Sequence, residues 1–77
     1  MNNNIMATIA QASACAMVRA NAQVMAQKAA DLIAQLQGTE EVLKDFARNG
    51  MPLFALQEKI SGTRSIMEGV LATLNNI

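Results

Sequence analysis

From Cys15 onward the apolar positions recur in alternating steps of three and four: Cys15, Val18, Ala22, Met25, Ala29, Leu32 and Leu36. That spacing places them in one stripe along an α-helix and is the spacing of a heptad seam. After the first pair, alanine fills every second site, and small residues let a second helix approach closely. Arg19, Gln23, Gln27 and Asp31 fall on the opposite face, which is therefore a solvated one. Nothing between Ile5 and Gln37 breaks a helix, and the Asn4 side chain is suited to cap its first free amides. The pattern predicts a helix over about residues 5–37. Ile5, Met6 and Ile9 make its first turns apolar nearly all round, so that end needs cover.

Gly38 follows as a residue suited to the left-handed conformation that ends helices. Thr39 can cap a new start, with Glu40 and Glu41 in a first turn where carboxylates complement the helix dipole. Val42, Leu43, Phe46 and Ala47 then give a short amphipathic helix over about 40–48, which Asn49-Gly50 closes. Proline inside a helix costs about 3 kcal/mol, but at the first helical position its missing N–H and fixed φ do no harm. Pro52 is accordingly expected to open a helix over about 52–76. Along it Leu53, Leu56, Ile60, Thr63, Met67, Val70, Leu74 and Ile77 again alternate by three and four. Gly62 and Gly69 lie seven apart beside this seam, and each is unfavourable in a helix by about 1 kcal/mol relative to alanine.

The fold class this predicts is all-α. Two long helices, joined by a short helical corner, fold back as an antiparallel, coiled-coil-like hairpin in a single domain spanning residues 1–77. By the standard helical rise the first helix spans about 50 Å and the last about 39 Å. The candidate interaction residues are the seam positions: Val18, Ala22, Met25, Ala29, Leu32 and Leu36 on one helix, with Leu53, Leu56, Ile60, Met67, Val70 and Leu74 on the other. Val24, Ile33, Ile66 and Leu71 lie off both seams, and this second apolar set argues for packing against other chains.

Composition strengthens that expectation. The chain has 77 residues, 52% of them apolar, but fourteen are alanine, which favours helix and adds little buried area. There is no Trp or Tyr and there are only two Phe, so large aromatic anchors are scarce. A single core in so short a chain rarely supplies more than about 3–5 kcal/mol. Self-association or a helical protein partner is the expected remedy. Six basic and six acidic residues balance to zero net charge, and the basic ones are scattered. Nucleic acid, which requires clustered phosphate-neutralising charge, is not an expected partner.

Candidate chemistry is sparse. With no histidine, Cys15 has no base to deprotonate it. Glu40 and Glu41 point about 100° apart on a helix and do not form a carboxylate pair. Ser61, Thr63 and Ser65 lack a base, no glycine-rich phosphate loop follows a strand, and the carboxylates do not cluster for a metal. The chain is expected to be neither an enzyme nor a cofactor or metal protein. One cysteine forms no internal disulfide. "ASAC", Ala12 to Cys15, has some likeness to a lipoprotein cleavage site, but the residues before it carry no Lys or Arg, and Cys15 is expected as a small buried helix residue. Ile5 to Val18 is too short and too polar in places to span a membrane. Its polar face lacks the Lys and Arg of a membrane-surface helix.

Leu36-Gln37-Gly38-Thr39, and the stretch from Asn49-Gly50-Met51-Pro52 through Leu53, Leu56 and Gln57, resemble the needle subunits of bacterial type III secretion systems. Those proteins are small helical hairpins with a proline-bearing corner and a following helix that opens Leu-x-x-Leu-Gln. The resemblance implies an apolar C-terminal turn, here Val70, Leu71, Leu74 and Ile77, that is buried on polymerisation. It also implies export without a cleavable signal peptide; a cytoplasmic location is the other expectation. The functional expectation is a non-enzymatic helical interaction subunit that self-associates, with a small chaperone for one helical client as the alternative.

Overall fold

The computed structural model describes the backbone of residues 2–77 and the side chains of residues 13–77. The expectations for the Ile5, Met6 and Ile9 side chains lie outside the described residues. The architecture is an all-helical hairpin of two elements, α1 (Asn2–Arg48) and α2 (Phe54–Asn75), packed along each other. The molecule measures 74 × 15 × 12 Å, a ribbon two helices wide and one helix thick. At 47 residues α1 is about 70 Å long by the helical rise, and 22-residue α2 about 33 Å.

Three expected boundaries are corrected. α1 begins at Asn2, so Asn4 lies inside the helix rather than capping it. The expected break at Gly38 is absent, and the short helix over 40–48 is the last part of α1. Gly38 has ordinary helical backbone, and Thr39 does not cap a start: its Oγ1 donates to the Gln35 carbonyl at 3.1 Å. What carries the helix through the glycine is packing on its far side, where Leu43 is only 3% exposed and Glu40 pairs across to α2. That burial outweighs the roughly 1 kcal/mol propensity deficit of one glycine.

The true end of α1 is Asn49-Gly50. Gly50 has φ +87°, the Met51 N–H donates to the Phe46 carbonyl at 2.9 Å, and the Gly50 N–H donates to Ala47 at 3.2 Å. These are the two bonds of a Schellman cap around a left-handed glycine. Pro52 follows one residue later, where it prevents further helix. It does not open α2, the third correction. Leu53 takes the N-cap position with φ −114° and ψ 63°, its carbonyl accepts from the Gln57 N–H at 2.9 Å, and α2 starts at Phe54. Asn49 to Leu53 thus form the corner, and no short helix joins the two long ones.

The seam is also shifted from the expected one. On α1 the partly or fully buried side chains include Ala22, Ala26, Ala29, Ile33, Leu36, Glu40, Leu43 and Ala47; on α2 and its cap they are Leu53, Gln57, Ile60, Arg64, Met67, Leu71 and Leu74. Both series alternate by four and three without interruption, so the heptad runs straight through Gly38. In heptad letters, Ala22, Ala29, Leu36, Leu43, Leu53, Ile60, Met67 and Leu74 are d positions. Ala26, Ile33, Glu40, Ala47, Gln57, Arg64 and Leu71 are a positions. Of the expected seam residues, Ala22, Ala29, Leu36, Leu53, Ile60, Met67 and Leu74 are partly or fully buried, whereas Val18, Met25, Leu32, Leu56, Thr63, Val70 and Ile77 are exposed; Leu43, expected in a separate short helix, is a d residue of the same seam. Ile33 and Leu71, expected outside, are in the seam, whereas Val24 and Ile66 are outside and exposed.

α2 does not reach the beginning of α1. Its end lies beside the Arg19–Gln23 turn, and residues Ser13 to Asn21 are all exposed. Cys15, expected to be buried, is exposed for that reason.

Candidate interaction face

In an antiparallel helix pair the two g rows flank the seam on one broad face, and the two e rows flank it on the other. The first of these faces carries Val18, Met25, Leu32, Thr39 and Phe46 from α1, with Leu56, Thr63, Val70 and Ile77 from α2 and its end. Every one of these nine residues is exposed and none is charged. The seven large apolar side chains among them are between 39% and 54% exposed. At the open end of the ribbon, Val18 and Ile77 share a shallow cleft of about 240 Å³ with Ala14, Cys15 and Arg19.

The two polar residues on this face make no demand on water. Thr39 is bonded to Gln35 as described, and the Thr63 Oγ1 donates to the Lys59 carbonyl at 2.8 Å. Both hydroxyls are satisfied within their own helix. The face is a continuous apolar strip with no unpaired polar side chain.

The opposite face has a different chemistry. Its e rows hold Gln23, Gln37, Lys44, Ser61, Glu68 and Asn75, with Ala30, and with Phe54 as the single large apolar member. Just beneath it, the Arg64 Nε donates to Glu40 Oε1 at 2.8 Å and its Nη1 to Glu68 Oε1 at 2.7 Å. These bonds, Glu40 first, push the guanidinium pKa above its ordinary value. Glu40 and Arg64 are both a residues and the only cross-helix ion pair among the described residues; their side chains are 18% and 25% exposed. A polar cleft of about 260 Å³ is lined by both, together with Lys44, Gln57 and Ser61. Elsewhere Lys44 pairs with Glu41 at 3.0 Å, and that bond holds the Glu41 carboxyl below its ordinary value.

The twelve expected interaction residues therefore separate into two groups. Ala22, Ala29, Leu36, Leu53, Ile60, Met67 and Leu74 close the hairpin, while Val18, Met25, Leu32, Leu56 and Val70 line the exposed apolar face. Phe46 and Ile77, which belong to the same face, were not among the twelve. Extending the seven-residue spacing of Val18, Met25 and Leu32 through Gly38 reaches Phe46, so the signal was present. Among the described residues, no three potential metal ligands come together, and no helix is long and apolar enough to cross a membrane.

No protein-family model matches the chain, and the comparisons with curated proteins and with solved structures give no significant match.

Proposed function

We propose that this protein is a non-enzymatic helical interaction subunit, whose working surface is the broad face formed by the two g rows. The observation that carries this reading is the uncharged strip of seven exposed large apolar side chains between the rows. Heptads with apolar residues at a, d and g make a stripe too wide for a two-helix seam, which needs only a and d; the wider stripe is that of a helix packed in a bundle. The hairpin supplies two of the helices for such a bundle, and the g face is where the others dock. The isolated ribbon has little core of its own: the buried apolar residues are Ala22, Ala29, Ile33 and Leu43, and α2 contributes no fully buried side chain.

Photo-crosslinking in cells that produce the protein tests this directly. A photoreactive residue at Leu32 on the g face should form protein adducts, and one at Gln27 on the opposite side of α1 should not. Equal yields at both positions, or none at Leu32, would overturn the reading. Membership of a type III secretion apparatus is the setting that the proline-bearing corner and Leu53, Leu56 and Gln57 suggest; fibres of the purified protein under the electron microscope would support it. A chaperone role would show instead as one client adduct of fixed mass at Leu32.

A further inference from the structure

Resting on that reading of the g face, we infer that its occupant is a second copy of this chain, stacked face to face about a twofold axis to make a four-helix bundle. Three observations favour a second copy. The first is area. The chain exposes 5967 Å², whereas a folded monomer of 8.2 kDa is expected to expose about 4,500 Å². The difference of about 1,400 Å² is more than the roughly 800 Å² per partner that a standard interface hides. A ribbon one helix thick leaves both broad faces uncovered, and of the two the g face is the apolar one.

The second is charge. In a twofold interface residue i of one copy meets residue j of the other and j meets i, so every charge on the face needs an opposite charge at the matching position. The two g rows have no charged residue, and the whole chain has zero net charge, so the rows themselves need no charge pairing across the axis. The e face, with Lys44 and Glu68 exposed, lacks this property.

The third is shape. The face consists of two antiparallel apolar rows, and a layer of two helices covers both, where a single helix in the groove between them covers the inner side of each. The second copy brings the same a, d and g stripe, so each hairpin completes the other's core with the packing of a four-helix bundle. Thr39 and Thr63, with their hydroxyls bonded inside their own helices, present no polar group for the partner to satisfy.

Sedimentation equilibrium of the purified full chain over a range from low to high micromolar tests this. The mass should rise from one chain and level at twice 8.2 kDa. Val70→Asp on the g face should weaken dimerisation at least 100-fold, and Ser61→Asp on the e face should change it less than threefold. Circular dichroism of each variant at the same concentrations separates lost association from lost folding. Should Val70→Asp fail to fold, the wild-type mass plateau and the milder Leu56→Gln variant decide the matter. A helical monomer throughout the range would overturn the second copy as occupant. If Leu32 adducts with a different protein persisted in cells, the g face would still stand as a docking surface. Growth beyond two chains without a plateau would also overturn the proposal, because a face-to-face twofold contact is closed.

Discussion

The two broad faces of this hairpin flank one seam and are built from the same two helices, yet they differ in kind. On the e face, polar side chains sit over the Glu40–Arg64–Glu68 network, and only Phe54 is large and apolar. On the g face, seven large apolar side chains form two rows with no charge between them. Neighbouring heptad positions on a helix differ by about 100° or less of rotation, so the contrast is written at one-residue resolution. Solvent suits the e face as it stands. The g face resembles the inner surface of a bundle from which half the helices are missing, and on this difference rests the proposal that it is the docking surface.

The largest expected effect breaks the seam beneath both faces. Leu43 is 3% exposed, and Leu43→Ala should cost about 2–5 kcal/mol by lost burial and cavity formation. In a ribbon with so few buried side chains, this should abolish cooperative melting of the hairpin by circular dichroism. Leu74→Asp sharpens the comparison. Leu74 is a d residue of the seam, so an unpaired charge there should lower helicity even in dilute solution. Its neighbour Val70, on the g face, should tolerate Asp with helicity retained and only association lost. Equal loss of helicity in the two variants would erase the distinction between seam and face.

The next effect probes the e side. Removing one partner of a half-buried pair leaves the other uncompensated, whereas removing both does not. Glu40→Ala should therefore lower the melting midpoint, and Glu40→Leu combined with Arg64→Leu should restore or raise it. A midpoint equal to wild type in Glu40→Ala would show that the pair has no part in holding the helices in register.

Smaller changes come from the outer surfaces. A Cβ added at Gly38, Gly62 or Gly69 meets open space, and all three have ordinary helical backbone. Each change to alanine should stabilise the chain by about 0.5–1 kcal/mol in denaturant unfolding. Gly50→Ala should do the reverse, because Gly50 holds φ +87° in the cap.

The smallest effect is a pH dependence. The hydrogen bond from Lys44 holds Glu41 below its ordinary value of 4.5, so its contribution is fully present above that value and fades as pH falls through the lower folded one. The midpoint difference between wild type and Glu41→Gln should shrink to nothing on acidification from pH 7.

Much of this architecture was legible in the sequence. The all-helical hairpin, the corner near Asn49-Gly50 and the d residues from Ala22 to Leu36 and from Leu53 to Leu74 follow from spacing and from the conformational demands of glycine and proline. Two things were not legible. At Gly38 local propensity favours a stop, but the helix continues because Leu43 and Glu40 pack beyond it, and propensity contains no term for that. The other half of the seam was misplaced because the sequence offers two candidate rows beside d. The g row, with Val18, Met25, Leu32, Leu56 and Val70, is the more apolar, and hydropathy favours it. The a row, with Gln57 and the complementary Glu40 and Arg64, is the one that closes the hairpin.

The sequence by itself determined the elements: the heptad period, the wide apolar stripe, the glycine at which α1 ends and the charges available for pairing. Only the tertiary structure decided which of the two rows beside d, a or g, joins it in the seam. Periodicity specifies the spacing of rows around a helix but not the rotation at which a second helix approaches. That rotation is set at the Gly50–Leu53 corner and secured by Glu40 and Arg64 across the seam. With rows a and d spent on the hairpin, row g is left facing outward, and it is there that the proposed docking surface lies.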